Sequence, residues 1–201
     1  MTQMKFCGLT RPEDIAAANA VKPDYIGFVF APKSKRYVSP EQAKELKAQL
    51  NPNIKTVGVF VNETPETVAQ LLQENIIDIA QLHGQEDTAY IARLRKLTAK
   101  PLWQAFRAED AASLAAAAKS PADMVLLDSG AGGTGTVFNW KLLQGFPRPY
   151  ILAGGLDTVN VAVAVARLHP AAVDVSSGIE SDRKKDPAKM AVFAAAVRAE
   201  R

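Results

Sequence analysis

A closed (β/α)8 barrel, the TIM-barrel fold, is what this sequence predicts, and three observations predict it. Eight near-continuous apolar runs recur along the chain, at 4–7, 25–30, 56–61, 76–82, 102–106, 124–127, 150–153 and 171–175. Their ends fall roughly 20 to 30 residues apart, the length of a strand plus its crossover helix in a parallel sheet. Helix-start signals lie between them. Runs without in/out alternation are what strands covered on both faces require.

The elements follow in order. After the first run, Thr10-Arg11-Pro12-Glu13 fits a capping box, as does Ser39-Pro40-Glu41-Gln42 after the second. In each, the hydroxyl would take an orphan N–H while Glu or Gln reaches back. Thr64-Pro65 after the third run is a cap followed by proline at the first helical position. Apolar spacing at Val68, Leu71 and Leu72, at Ile91 and Leu94, at Val161, Val165 and Leu168, and at Met190, Phe193 and Val197 puts one stripe per helix against a sheet. The Ala-rich stretch 108–119 is helical by intrinsic preference. About eight helices thus alternate with eight strands, without a linker-like shift in composition, so residues 1–201 are expected to form one barrel domain. It is small, since such barrels usually run to about 250 residues. An open doubly wound sheet is the rival; in both, ligands bind at the strands' C-terminal ends.

Composition narrows the function. The chain carries 48% hydrophobic and 22% charged residues with a net charge of +3, an ordinary balance with a mildly basic tilt. Its cations are scattered, apart from Arg183-Lys184-Lys185, and aromatics do not interleave with them. This speaks against nucleic acid and suits an anionic small molecule. No apolar run approaches a membrane span, the N-terminus reads straight into a strand, and there is one cysteine. A cytoplasmic protein is expected, with no membrane partner.

The strand ends carry the candidate chemistry. Cys7 closes the first run; a lone thiol is usually a small buried hydrophobe, yet this one stands at a strand's C-terminal mouth. Ala153-Gly154-Gly155-Leu156 follows the seventh run, with Asp157 read as a helix cap, and Ser176-Ser177-Gly178 follows the eighth. Two small-residue turns after strands seven and eight, with a short extra helix after the eighth, are what a barrel phosphate site needs. A single Gly-Gly can equally be a tight turn. Asp128 ends the sixth run as either a turn former or a positioned acid, and the glycine-rich loop 129–135 reads as a lid. Lys33, Lys35 and Arg36 can be a solvated loop or an anion grip, with Arg36 suited to a two-pronged carboxylate contact. His83 after the fourth run is open between packing and catalysis.

Taken together, these strings resemble the phosphoribosylanthranilate isomerase family. The likeness spans almost the whole chain: KFCGLTRPED at 5–14, IGFVFAPKSKRYVSP at 26–40, VGVFVN at 57–62, QLHG at 81–84, LLDSGAGGTG at 126–135, ILAGGL at 151–156 and VDVSSGIES at 173–181. The resemblance implies an Amadori rearrangement of N-(5-phosphoribosyl)anthranilate to the 1-deoxyribulose 5-phosphate aminoketose, a step of tryptophan biosynthesis, without metal or nucleotide cofactor. It implies Cys7 as general base and Asp128 as general acid. Arg36 would bind the anthranilate carboxylate, Asp174 the sugar, and Gly154, Gly155, Ser176, Ser177 and Gly178 the phosphate. Such an acid and base serve best with pKa values drawn toward the working pH. A partly dry mouth would raise that of Asp128, while helix N-termini and cations would lower that of Cys7.

Two positions depart from the family pattern: Asn139 stands where aspartate is common, and no glycine precedes Lys185-Asp186. The first still caps a helix; the second is expected to alter a loop without a catalytic group. The related phosphosugar isomerase of histidine biosynthesis would call for an aspartate where Cys7 stands and for paired glycines in the loop 61–64. A non-catalytic phosphosugar-binding barrel would need neither Cys7 nor Asp128. Monomer and homodimer are both compatible with the sequence.

Overall fold

The first and last strands of the chain pair with each other, and that pairing closes the sheet. The computed structural model describes residues 1–128 and 140–200. Strands β1 (Gln3–Cys7), β2 (Tyr25–Val29), β3 (Lys55–Phe60), β4 (Ile79–Leu82), β5 (Leu102–Arg107), β6 (Met124–Asp128), β7 (Tyr150–Ala153) and β8 (Ala172–Val175) follow one another around a closed parallel barrel. At the seam Met4 faces Val173 and Lys5 faces Asp174. Helices α1 (Pro12–Val21), α2 (Pro40–Ala48), α3 (Pro65–Gln73), α4 (Thr88–Leu97), α5 (Ala111–Ala118), α6 (Val161–Leu168) and α7 (Pro187–Ala199) lie outside it. Between β6 and β7 the described residues hold one turn of 3-10 helix, Trp140–Leu143. The rival open sheet is thereby excluded.

Each strand buries both faces, which is why the runs lacked alternation. Outward side chains such as Phe6, Ile26, Phe28, Leu127 and Val173 join the helices in the large core. Phe6 packs edge-on against Phe193 of α7, ring centroids 6.0 Å apart. Inward side chains Val57, Ile79, Trp103, Leu126, Ile151 and Ala172 fill the barrel's interior, with Tyr25 edge-on to Trp103 at 5.0 Å. Each fully buried side chain of this size contributes about 1.5–3 kcal/mol relative to exposure. The fourth run is shorter as a strand than expected, because Ile76 and Ile77 pack in the connection from α3.

Helix starts agree with the sequence at two of the four marked caps. Ser39 Oγ accepts from Gln42 N, and Thr64 Oγ1 from Thr67 N with Pro65 opening the helix. Ser39 is capped from one side only, since the Gln42 amide goes to the Thr10 carbonyl instead. At α1 the cap is Arg11 rather than Thr10: Asp14, inside the helix, accepts from both backbone N–H groups. Asp157 does not cap α6 either; it ties the preceding turn by accepting from Val159 N and Asn160 N, and the helix begins after Asn160.

The short helix expected after β8 is absent. In its place β9 (Glu180–Ser181) and β10 (Lys184–Lys185) form a small antiparallel ribbon, and α7 starts at the Asp186 cap. Asp182 and Arg183 take left-handed φ values of 48° and 64° in the tight turn between them. Asn139 and the loop 129–135, read as a lid, lie outside the described residues. Among the described residues no helix is long and apolar enough to cross a membrane.

Candidate active site

A cavity of about 920 Å³ opens over the C-terminal ends of the strands, the upper part of the range that takes a small ligand. Cys7, Arg36, Asp128, Gly154, Gly155, Asp174, Ser176 and Ser177 all line it. One face of each strand points inward, so the last inward residue of β1, of β6 and of β8 reaches the mouth. These are Cys7, Asp128 and Asp174. His83 and Gln81 of β4 also line the cavity.

The two small-residue turns meet. Asp157 and Gly178 form an isolated bridge, and a Cβ on Gly178 would stand 2.0 Å from the Leu156 carbonyl oxygen. Gly178 therefore permits the contact between turns and packs behind them, while Gly154, Gly155 and Ser177 face the cavity. Gly154 and Gly155 have φ of 85° and 64°, the left-handed region that glycine enters without a Cβ penalty. Their amides are thus turned in a way that a chain of ordinary residues resists.

Arg36 is already gripped. Its Nε and Nη2 donate to the two carboxylate oxygens of Glu180 at 2.7 and 2.8 Å, and its stem crosses the bare Cα of Gly8, where a Cβ would lie 2.4 Å from Arg36 Cδ. Among the described residues nothing pairs with Nη1. Glu180 also accepts from Lys185 Nζ at 2.7 Å. Burial alone would raise the Glu180 pKa, but the two cations hold it down to about 2. Lys185 reaches further, donating to the Ser176 carbonyl at 2.9 Å; burial lowers its pKa against the pull of Glu180. The basic triplet at 183–185 is thus not a wholly solvated run, because Lys185 turns inward.

Ser176 Oγ donates to the Cys7 carbonyl at 3.1 Å, tying β1 to the turn after β8. Behind Cys7 lies Lys5, wholly buried, with Nζ 3.0 Å from each Asp174 oxygen. Burial raises the Cys7 pKa above the usual thiol value, while Lys5 and Lys185 draw it down and Asp174 opposes them. The net direction is upward. This reverses the lowering expected from nearby cations: they are present, and desolvation outweighs them.

Across the mouth, His83 Nε2 lies 3.7 Å from Asp128 Oδ2, and the Gln81 amide nitrogen lies 3.1 Å from His83 Nδ1. His83 thus stands between Gln81 and Asp128, with one ring nitrogen toward each. The sequence left His83 open, and Lys5, Glu180 and Lys185 were not read as site residues at all. For Lys5 a signal existed: a charge two residues before Cys7 in an apolar strand must share its inward face. Among the described residues no three His, Cys, Asp or Glu side chains gather as a metal-ligand set.

Comparison with known proteins adds to this geometry. The family model described as N-(5'phosphoribosyl)anthranilate (PRA) isomerase matches residues 4–196. The N-(5'-phosphoribosyl)anthranilate isomerase of Thermoanaerobacter sp. (strain X514) is 45% identical over 204 aligned residues, covering 98% of each chain. Among solved structures, the dimeric phosphoribosylanthranilate isomerase from Thermotoga maritima, crystallised as mutually generated monomers, superposes with a TM-score of 0.88. It is 34% identical, and the match covers 99% of this chain and 100% of that one. A phosphoribosyl anthranilate isomerase in complex with reduced 1-(o-carboxyphenylamino)-1-deoxyribulose 5-phosphate matches with a TM-score of 0.87 at 32% identity, over 99% of this chain and 100% of that one.

Proposed function

The chain belongs to the N-(5'-phosphoribosyl)anthranilate isomerase family, an activity of tryptophan biosynthesis, and we propose that its mouth performs the Amadori rearrangement with Cys7 as base and Asp128 as acid. The observation that carries the reading is that these two groups open into one cavity from β1 and β6, beside the paired turns after β7 and β8. Protonated Asp128 donates to the ribose ring oxygen, the C1–O bond breaks, and the anthranilate nitrogen's lone pair closes the Schiff base. The Cys7 thiolate then takes the proton from C2, giving an enolamine that tautomerises to the ketone. The exchange is internal: C2 is oxidised as C1 is reduced.

The remaining residues bind and orient. The amides around Gly154, Gly155 and Ser177 receive the phosphate, with Ser176 and Gly178 holding the turn in register. Arg36 offers Nη1 and the outer edge of its fork to the anthranilate carboxylate, with Glu180 fixing the plane of the guanidinium. Asp174 reaches the sugar while its oxygens hold Lys5. The phosphorylated small molecule is the partner, the compartment is the cytoplasm, and the assembly is a monomer or homodimer.

The test is loss of the fluorescence of the substrate, made in place from anthranilate and phosphoribosyl pyrophosphate, when the protein is added. Cys7→Ser and Asp128→Asn are each expected to lose activity by orders of magnitude while still binding a reduced product analogue. A hydroxyl is too weak an acid to supply the base, and an amide cannot protonate the ring oxygen. Near-normal turnover in either variant removes that residue from the chemistry.

A further inference from the structure

We propose that Lys5 is the positioning residue for the base: its ammonium group, locked by Asp174, is the counter-ion against which the Cys7 thiolate forms. The proposal rests on Cys7 being the base, and it explains three features that this reading leaves aside. The first is a lysine with no exposed surface inside a barrel whose interior is otherwise filled by Trp103, Leu126 and Ile151. A buried ammonium is costly unless it is paired and hydrogen-bonded. Asp174, opposite it in the β1–β8 ladder, takes two of its three hydrogens at 3.0 Å. The third remains for the thiol, two residues further along the same face of β1.

The second feature is Gly27, which faces Cys7 in the β1–β2 ladder. Its backbone lies outside the left-handed region, so conformation does not call for glycine. Space does: a Cβ there would stand 2.8 Å from Cys7 Sγ, 3.2 Å from Cys7 Cα and 3.2 Å from Lys5 Nζ. The bare Cα leaves room for the sulfur and the ammonium on the same side of the strand. A lysine that only stapled β1 to β8 would need Asp174 but not that opening.

The third feature is the balance of charge around the sulfur. Facing it are Lys5 from β1, Asp174 from β8, Lys185 from β10 and Arg36 from the loop after β2. Burial pushes the thiol up, and Lys5 is the largest influence drawing it back. Burial would also strip Lys5 of its proton, but Asp174 and Cys7 together hold its pKa above the ordinary lysine value. The ammonium is therefore present when the thiol ionises.

The chain has a single cysteine, so thiolate absorbance and the rate of iodoacetamide alkylation against pH report Cys7 alone. In Lys5→Met the thiol is expected to titrate about 1 to 2 pH units higher, as for loss of an adjacent opposite charge. Alkylation and kcat/KM at neutral pH should fall roughly ten- to hundred-fold, with the acidic limb of the rate profile displaced upward by the same amount. Lys5→Arg should recover part of this. Because Lys5→Met strands a buried carboxylate, the double variant Lys5→Met/Asp174→Asn removes both charges and tests the same point with less risk to folding. Its thiol should still titrate above that of the unaltered enzyme, since the pull of the lysine exceeds the push of the aspartate. A thiol that titrates identically in the double variant and the unaltered enzyme overturns the proposal. The readout is independent of turnover, so an active Cys7→Ser would sink the base assignment separately.

Discussion

Replacing Glu180 by glutamine keeps the side chain's shape and removes the charge on which Arg36 and Lys185 converge. The carboxyl sits at about 2 against an ordinary 4.5, a drop of about 2.5, and each pH unit is worth about 1.4 kcal/mol. The depressed value means that the folded state prefers the carboxylate. Its contribution is full above about pH 4.5 and is lost as pH falls through about 2. The product is about 3 kcal/mol as an upper bound; Arg36 is 34% exposed, so screening leaves about 2 kcal/mol. Urea midpoints of the unaltered protein and Glu180→Gln, measured near neutrality and at about pH 3, read the effect. The stability gap between the two proteins should narrow by about 1 kcal/mol on acidification, as the carboxyl takes up its proton in the unfolded chain while it stays mostly ionised in the folded one. A gap that stays constant refutes the reasoning, because it would mean that Glu180 is not held ionised by these partners.

Arg36→Met should raise KM by an amount equivalent to about 2–4 kcal/mol for a lost charge-assisted pair, with Arg36→Lys recovering only part, since a point charge does not reproduce the planar fork. Equal affinity for product analogues with and without the ring carboxylate would count against this role. Inorganic phosphate should inhibit competitively by occupying the paired turns. With φ of 64° at position 155, Gly155→Ala and Gly155→Asp should both lose about 1–2 kcal/mol of stability. The aspartate should in addition weaken phosphate inhibition well beyond the alanine, and equal inhibition constants in the two variants would remove the anion from this turn.

The barrel was legible because its information is local. Each strand announced itself by a short apolar run, and Ser39 and Thr64 marked helix starts through hydrogen bonds that span only three residues. Where the reading slipped, competition between nearby groups decided the outcome. Asp14 displaced Thr10 as the group that serves the α1 terminus, and Asp157 closed a turn one step before α6. The ribbon at 180–185 took the place of a helix while its Glu180 and Lys185 side chains paired inward. The site divided in the same way. Cys7, Asp128 and the two turns could be found because strand ends can be found. Lys5 could be placed on the inward face with Cys7, but neither it nor Glu180 nor Lys185 could be given the partner that makes a buried charge tolerable: Asp174 lies 169 residues from Lys5, and Glu180 lies 144 from Arg36.

That separation has a consequence for how the molecule comes into being. The thiol leaves the ribosome long before the aspartate that anchors its counter-ion, which lies 169 residues beyond Lys5. Until β8 slots in beside β1, the sheet has two raw edges and Lys5 has no anion beside it. Contacts so far apart in sequence are slow to form and leave unfinished chains prone to mispairing. Catalytic competence and topological closure are therefore one event: a nascent chain with seven strands in place holds the sulfur but not the ion pair behind it, and the same last strand that seals the barrel arms it.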